Sequence, residues 1–192
     1  MTDKRIIKTE RDIKQAFLNL LKTTPFQKIS VNQICNEALV SRSTFYEHFQ
    51  DKYELLGQLV SQYTKLYQEL VEQRTNQIIN QEEHVLSIPE IAGTLQEHRD
   101  ALNTLLSVHE DGLDLLVNWE NCLSKTWHRL NHHYAADKQA PDDFVSSLES
   151  AIVLNYIRWS LKNGMNDDAA ALSEHMIRSI YGNAMAHQSP TK

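Results

Sequence analysis

Residues 30–56 read SVNQICNEALVSRSTFYEHFQDKYELL, and their patterning decides the fold. Ser30 suits a helix N-cap, and Gln33 three residues on completes a capping box. Val31, Ile34, Cys35 and Ala38 then form one apolar face at helical spacing. Leu39 and Val40 make an apolar turn, and Ser41 caps a second helix that opens Arg42-Ser43-Thr44-Phe45-Tyr46-Glu47-His48-Phe49. Phe45 and Phe49 point together into a core, while Arg42, Ser43, Thr44, Tyr46 and His48 fall on the remaining surface. A helix that is apolar inside and donor-rich outside, reached through a tight turn, has the character of the reading element of a helix-turn-helix.

The segment STFYEHFQDKYELL resembles the signature of TetR-type transcriptional regulators, whose recognition helix ends in a T-x-Y-x-H/Y-F run followed by a Lys at the next helix start. Thr44, Tyr46, His48, Phe49 and Lys52 occupy those positions, and the resemblance covers about residues 8–56. It departs from the family at Leu39, where a Gly is usual. A positive φ at that turn costs a Leu on the order of 1 kcal/mol or more.

The resemblance implies roles only at matching positions. Arg42, Ser43 and Thr44 would face base edges or nearby phosphates, with Arg42 the candidate for a guanine because its fork fits O6 and N7. Tyr46 would donate its hydroxyl to a phosphate and lay its ring near a thymine methyl. His48 and Lys52 would be phosphate contacts, Lys52 assisted by the N-terminus of its helix. Lys4, Arg5 and Lys8 are read as a flexible arm. Glu47 either accepts from a cytosine amino group or faces a cation of the protein. The competing reading of the whole set is a solvated helix face.

The charge distribution agrees. The chain of 192 residues carries a net charge of -6. Residues 1–52 hold nine Lys/Arg against six Asp/Glu, a net of +3, and the remainder holds ten against nineteen, a net of -9. A basic head on an acidic body fits a DNA reader with a separate regulatory part. Five Gly and four Pro imply few turns and long helices. No apolar run is long enough for a membrane span, and the charged N-terminus lacks a signal-peptide core, so a cytoplasmic protein is expected. Cys35 and Cys122 are read as reduced thiols without a disulfide.

The expected fold is all-α: a three-helix helix-turn-helix head over 1–52, a helical ligand-binding and dimerisation body over 53–187, and a disordered tail over 188–192, with about nine helices in all. The first helix is expected from Lys8, capped by Thr9, to Thr23, where Pro25 ends it. The fourth runs unbroken from Asp51 to about Asn80. Others are expected near Pro89–His98, Asp100–Val108, Leu113–Tyr134, from a cap at Asp142 or Asp143 to Asn163 with Gly164 beyond, and from Asn166 or Asp167 to Ala186. Asp111-Gly112 reads as a turn, and 135–141 as a polar loop.

The last two helices carry wide apolar faces: Phe144, Leu148, Ala151, Ile152, Tyr156 and Trp159 on one, Leu172, Met176, Ile177, Ile180, Tyr181 and Ala184 on the other. Part of this surface is internal core. YIRWSLKNGM looks like the penultimate helix of TetR-like proteins, which implies a homodimer through these two helices and a palindromic operator on double-stranded DNA. The resemblance also implies a small-molecule effector, whose pocket wall has Tyr63, Tyr67, Trp119, Trp127, Tyr156 and Trp159 as aromatic candidates, against the plainer reading of core. His128 and His132 share a helix face at a spacing that can hold zinc, with His133 beside them. His109, Glu120 or Cys122 would have to supply the third ligand, and a polar helix end is the preferred reading, so neither metal nor cofactor is expected. Nucleophile-elbow, P-loop, dinucleotide-binding and Cys-x-x-Cys motifs are absent, so no catalysis is expected. The expected activity is that of a sequence-specific repressor, the alternative a co-activator or adaptor working through a protein partner or bound metabolite.

Overall fold

The computed structural model describes residues 4–133 and 141–181. Among them the secondary structure is entirely helical. In chain order come α1 (Lys4–Leu21), a 3-10 turn (Phe26–Lys28), α2 (Val31–Ala38), α3 (Arg42–His48), α4 (Lys52–Ile79), α5 (Ile88–Gln96), α6 (Arg99–Leu105), α7 (Leu115–His133), α8 (Asp142–Asn163) and α9 (Asp167–Tyr181). No described helix is long and apolar enough to cross a membrane.

The helix boundaries correct the sequence reading in a few places. α1 begins at Lys4, so Thr9 lies inside it and Lys4, Arg5 and Lys8 are its exposed first turns rather than an arm. Nothing in KRIIK breaks a helix, and propensity carries the turn outward. The short 3-10 turn after Pro25 was not foreseen. α5 starts with a capping box at Ser87, whose Oγ accepts from the Glu90 N–H at 3.3 Å while Glu90 Oε2 accepts from the Ser87 N–H at 2.7 Å. These bonds hold the Glu90 carboxyl below its ordinary range. Pro141, not Asp142 or Asp143, stands at the N-cap of α8 and offers no side-chain cap. Asn166 caps α9, its Oδ1 accepting from the Ala169 N–H at 2.9 Å. Gly112 and Gly164 take φ of 74° and 92°, values that suit a residue without a Cβ. Residues 134–140 and the expected continuation to Ala186 with the 188–192 tail lie outside the described residues.

The chain divides into two compact units, Met1–Thr64 with Asp100–Leu115, and Lys65–Arg99 with Leu116–Lys192. In chain-order terms the head was expected to stop at residue 52; by packing, the first unit keeps the opening of α4 and also takes α6. Its core is built from Ile13, Phe17, Ile34, Phe45, Leu55 and Leu56, each fully buried. Phe26 sits edge-on to Phe17 at 6.2 Å and to Tyr53 at 5.0 Å, which locks the 3-10 turn against α1 and α4. In the second unit, Tyr67 stacks on Trp119 with ring centroids 4.3 Å apart, and both are fully buried. Gln96 Nε2 donates to the Ser160 carbonyl at 2.7 Å, tying α5 to α8. Arg129 donates to Asn76 Oδ1 at 2.8 Å, tying α7 to α4.

Candidate DNA interface and effector cavity

The expected capping box opens α2: Ser30 Oγ accepts from the Gln33 N–H at 3.3 Å, and Gln33 Oε1 accepts from the Ser30 N–H at 2.9 Å. α2 ends at Leu39, whose φ of 55° and ψ of 40° are left-handed. The Val40 N–H closes the turn onto the Cys35 carbonyl at 3.0 Å. The positive φ that the sequence implied at this turn is therefore present, and Leu39 is 93% exposed. Nothing is gained by packing there. Leu39→Gly is expected to stabilise the chain by about 1 kcal/mol, since the steric penalty of a Cβ in this region exceeds the extra chain entropy of Gly. A denaturant midpoint that falls instead would show the strain to be absent.

Ser41 caps α3, its Oγ accepting from the Thr44 N–H at 3.0 Å. The same oxygen lies 2.7 Å from Ser43 Oγ and 2.9 Å from Thr44 Oγ1, so three hydroxyls cluster at the helix start. Phe45 and Phe49 turn inward as expected, with centroids 5.7 Å apart. The α2–α3 joint also buries Cys35, whose Sγ lies 3.9 Å from the Ser41 carbonyl oxygen. Burial pushes this thiol up, against a smaller pull downward from Arg42.

Arg42, Ser43 and Tyr46 come together on the exposed side of α3. Arg42 Nη2 donates to Tyr46 Oη at 3.5 Å, and its Cζ stands 5.9 Å from the Tyr46 centroid. That hydroxyl contact further favours the charged guanidinium. The pair forms a pre-ordered fork and phenol one helical turn apart. Thr44 is half-buried, and His48 is half-buried at the end of α3, 6.2 Å from the Phe49 ring. Glu47 is exposed. Lys52 departs from the rest. Its ammonium donates to the Phe26, Gln27 and Ile29 carbonyls at 2.9, 3.0 and 2.8 Å. An ammonium has three donors, and in this arrangement all are engaged within the protein.

In the body, a cavity of about 30 Å³ is lined by Val71, Arg74, Thr75 and Ile78 of α4 together with residues of α5, α7 and α8. That is room for a water molecule or so, well short of a drug-sized site. Of the aromatic candidates, Trp127 lines it. Tyr67 and Trp119 fill each other's faces as core, and burial raises the Tyr67 hydroxyl well above its ordinary range. Tyr63 and Tyr156 are buried, with hydroxyls likewise pushed up by burial, and Trp159 is exposed. His128 is exposed, and the side chains of His132 and His133 lie outside the described residues.

α8 buries polar residues beside apolar ones such as Val153, Leu154, Ile157 and Leu161, which residue periodicity alone did not reveal. Its inward side buries Ser146, Glu149, Ser150 and Ser160, while Phe144, Leu148 and Trp159 face outward. Leu172 and Met176 of α9 are exposed as well. An open groove of about 530 Å³ lies among Leu116 and Glu120 of α7, Ile152, Asn155 and Arg158 of α8, and Leu172 and Met176 of α9.

A capped helix pair joined by a left-handed turn, with an outward Arg-Tyr pair, is a helix-turn-helix DNA reader. Residues 15–59 match the sequence profile of bacterial regulatory proteins of the tetR family. The HTH-type dhaKLM operon transcriptional activator DhaS of Lactococcus lactis is 26% identical over 155 residues, covering 80% of this chain and 75% of that protein. The crystal structure of a TetR transcriptional regulator from Streptococcus agalactiae is 26% identical and covers 91% of this chain and 96% of that one, with a TM-score of 0.62. NalD, the secondary repressor of the MexAB-OprM multidrug efflux pump in Pseudomonas aeruginosa, shares the fold at 17% identity and a TM-score of 0.64, over 93% of this chain and 96% of its own. The chain is a DNA-binding transcriptional regulator whose head, over residues 15–59, is of the tetR type.

Proposed function

We propose that the chain is a cytoplasmic repressor that holds a palindromic operator as a homodimer and releases it when a small molecule occupies the body. One observation carries the reading. α4 is a single unbroken helix of 28 residues, and its second half supplies four residues of the cavity wall. At 1.5 Å per residue it is about 42 Å long, and it begins at the residue that follows the recognition-helix connection. A ligand that enlarges the cavity must displace this helix, and a displaced helix favours a head placement that fits the operator less well. The outward apolar faces of α8 and α9 support pairing of two copies through the last two helices.

The likeness to an operon activator favours a second reading, in which the same head recruits rather than blocks and the body works through a protein partner or bound metabolite. Selection from a random duplex pool, followed by a small-molecule screen on the enriched sequence, separates them. The repressor reading expects an enriched palindrome whose binding falls when a compound occupies the body. Val153 lines the cavity and is nearly fully buried. Val153→Phe is expected to keep duplex binding within a few-fold while abolishing the response, with overpacking costing about 1–3 kcal/mol of stability. Compounds that bind the body and leave duplex affinity unchanged would end this reading, and salt-sensitive retention without an enriched sequence would favour the second.

A further inference from the structure

We infer that Lys52 is a positioning residue of the DNA-binding head, a cation that fixes the start of α2 to the start of α4, and not a phosphate contact. Its Nζ reaches three carbonyls of one short segment, those of Phe26, Gln27 and Ile29, at 2.8 to 3.0 Å. The Phe26 carbonyl also accepts the Ile29 N–H at 3.1 Å, so the ammonium grips the bond that closes the 3-10 turn. The same ammonium stands 4.6 Å from the Phe26 ring centroid and 5.5 Å from that of Tyr53. Ile29 directly precedes Ser30, the N-cap of α2. A link from Lys52 to Ile29 therefore fixes where α2 begins.

The geometry of the head converts that link into placement of the recognition helix. α3 is joined to α2 by Leu39–Ser41 and to α4 by Phe49–Asp51, both short. With the beginnings of α2 and α4 tied together, α3 is held from both ends. The donor set suits Lys in particular. Three acceptors converging on one point need a compact ammonium with three radiating N–H bonds, whereas the planar fork of Arg directs its donors differently. The N-terminus of α4 has its own acceptor in any case, because Asp51 Oδ1 accepts from the Tyr53 and Glu54 N–H groups at 2.8 Å each.

Two substitutions in the full chain, Lys52→Met and Lys52→Arg, test the assignment by two independent readouts. The first needs no DNA: amide hydrogen exchange across residues 29–40 is expected to quicken about tenfold or more in both variants. The second is binding to a 30-base-pair duplex carrying the sequence selected by the wild-type chain, measured across salt concentrations. Both variants are expected to lose about tenfold or more in affinity, with the slope of log K against log salt unchanged. A phosphate contact makes the opposite forecast. Lost from both chains of the proposed homodimer, such a contact would lower that slope by about 1.8 in the Met variant and leave the Arg variant like wild type. Rescue by Arg, unchanged exchange, or a fallen slope in the Met variant overturns the inference. These outcomes are independent of whether a small molecule regulates the body.

Discussion

Arg42→Ala is expected to weaken binding to the duplex selected by the wild-type chain by about 1–3 kcal/mol per half-site, roughly five- to 150-fold each, and to relax selection at one guanine in each half-site. The proposal rests on the geometry of α3. The guanidinium is exposed, stands at the first residue of the helix, and is steadied by the Tyr46 hydroxyl 3.5 Å away. A side chain held in advance loses less rotamer freedom when it docks, and a bidentate fork distinguishes bases where a phosphate contact does not. Repeating the duplex selection with the variant is the measurement. A uniform loss over all sequences, with a shallower salt slope, would reassign Arg42 to the backbone. Tyr46→Phe removes the hydroxyl and keeps the ring, so its loss is expected to be the smaller of the two.

Leu172→Glu is expected to have the larger effect on assembly. Leu172 is 60% exposed and borders the 530 Å³ groove together with Met176. In the proposed dimer each surface meets its own copy, so one substitution places two carboxylates in a closing apolar interface. Desolvating them without partners costs several kcal/mol, enough to raise the dissociation constant by about a thousandfold. Sedimentation at micromolar concentration should show single chains with an unchanged helical spectrum. Operator affinity should fall by about 10² to 10⁴, because two heads would no longer be linked. A variant that sediments as wild type would mean that copies pair elsewhere or remain apart.

What the sequence revealed follows from the range of the interactions. Ser30, Gln33 and Ser41 act within one helical turn of themselves, and each makes the cap that its residue type implied. Phe45 and Phe49 obey helical spacing, so their inward direction was legible too. Leu39 announced its left-handed turn by standing where a glycine is usual. The carbonyl partners of Lys52 were not legible because they lie more than twenty residues earlier, around a 3-10 turn that no periodic pattern marks. The start of α1 was missed because only a helix breaker would have signalled a stop before Thr9. In the body, aromatic spacing indicated bulk but not occupancy. Tyr67 and Trp119 turned out to stack on each other, and of the named aromatics Trp127 borders open volume. Glu149, fully buried on α8, was invisible to a search for apolar faces because its environment is set by other helices.

The two cysteines fall one in each compact unit, Cys35 buried at the α2–α3 joint and Cys122 half-buried on α7. Cys35 lies beneath the turn that sets the recognition helix, with its thiol raised by burial and its sulfur against the Ser41 carbonyl. Such a sulfur reacts only when that joint parts, since a reagent needs both access and thiolate. The chain thus carries a native clock. The rate at which a thiol reagent captures Cys35 counts openings of the DNA-reading joint, and capture of Cys122 times the body separately, without any added label.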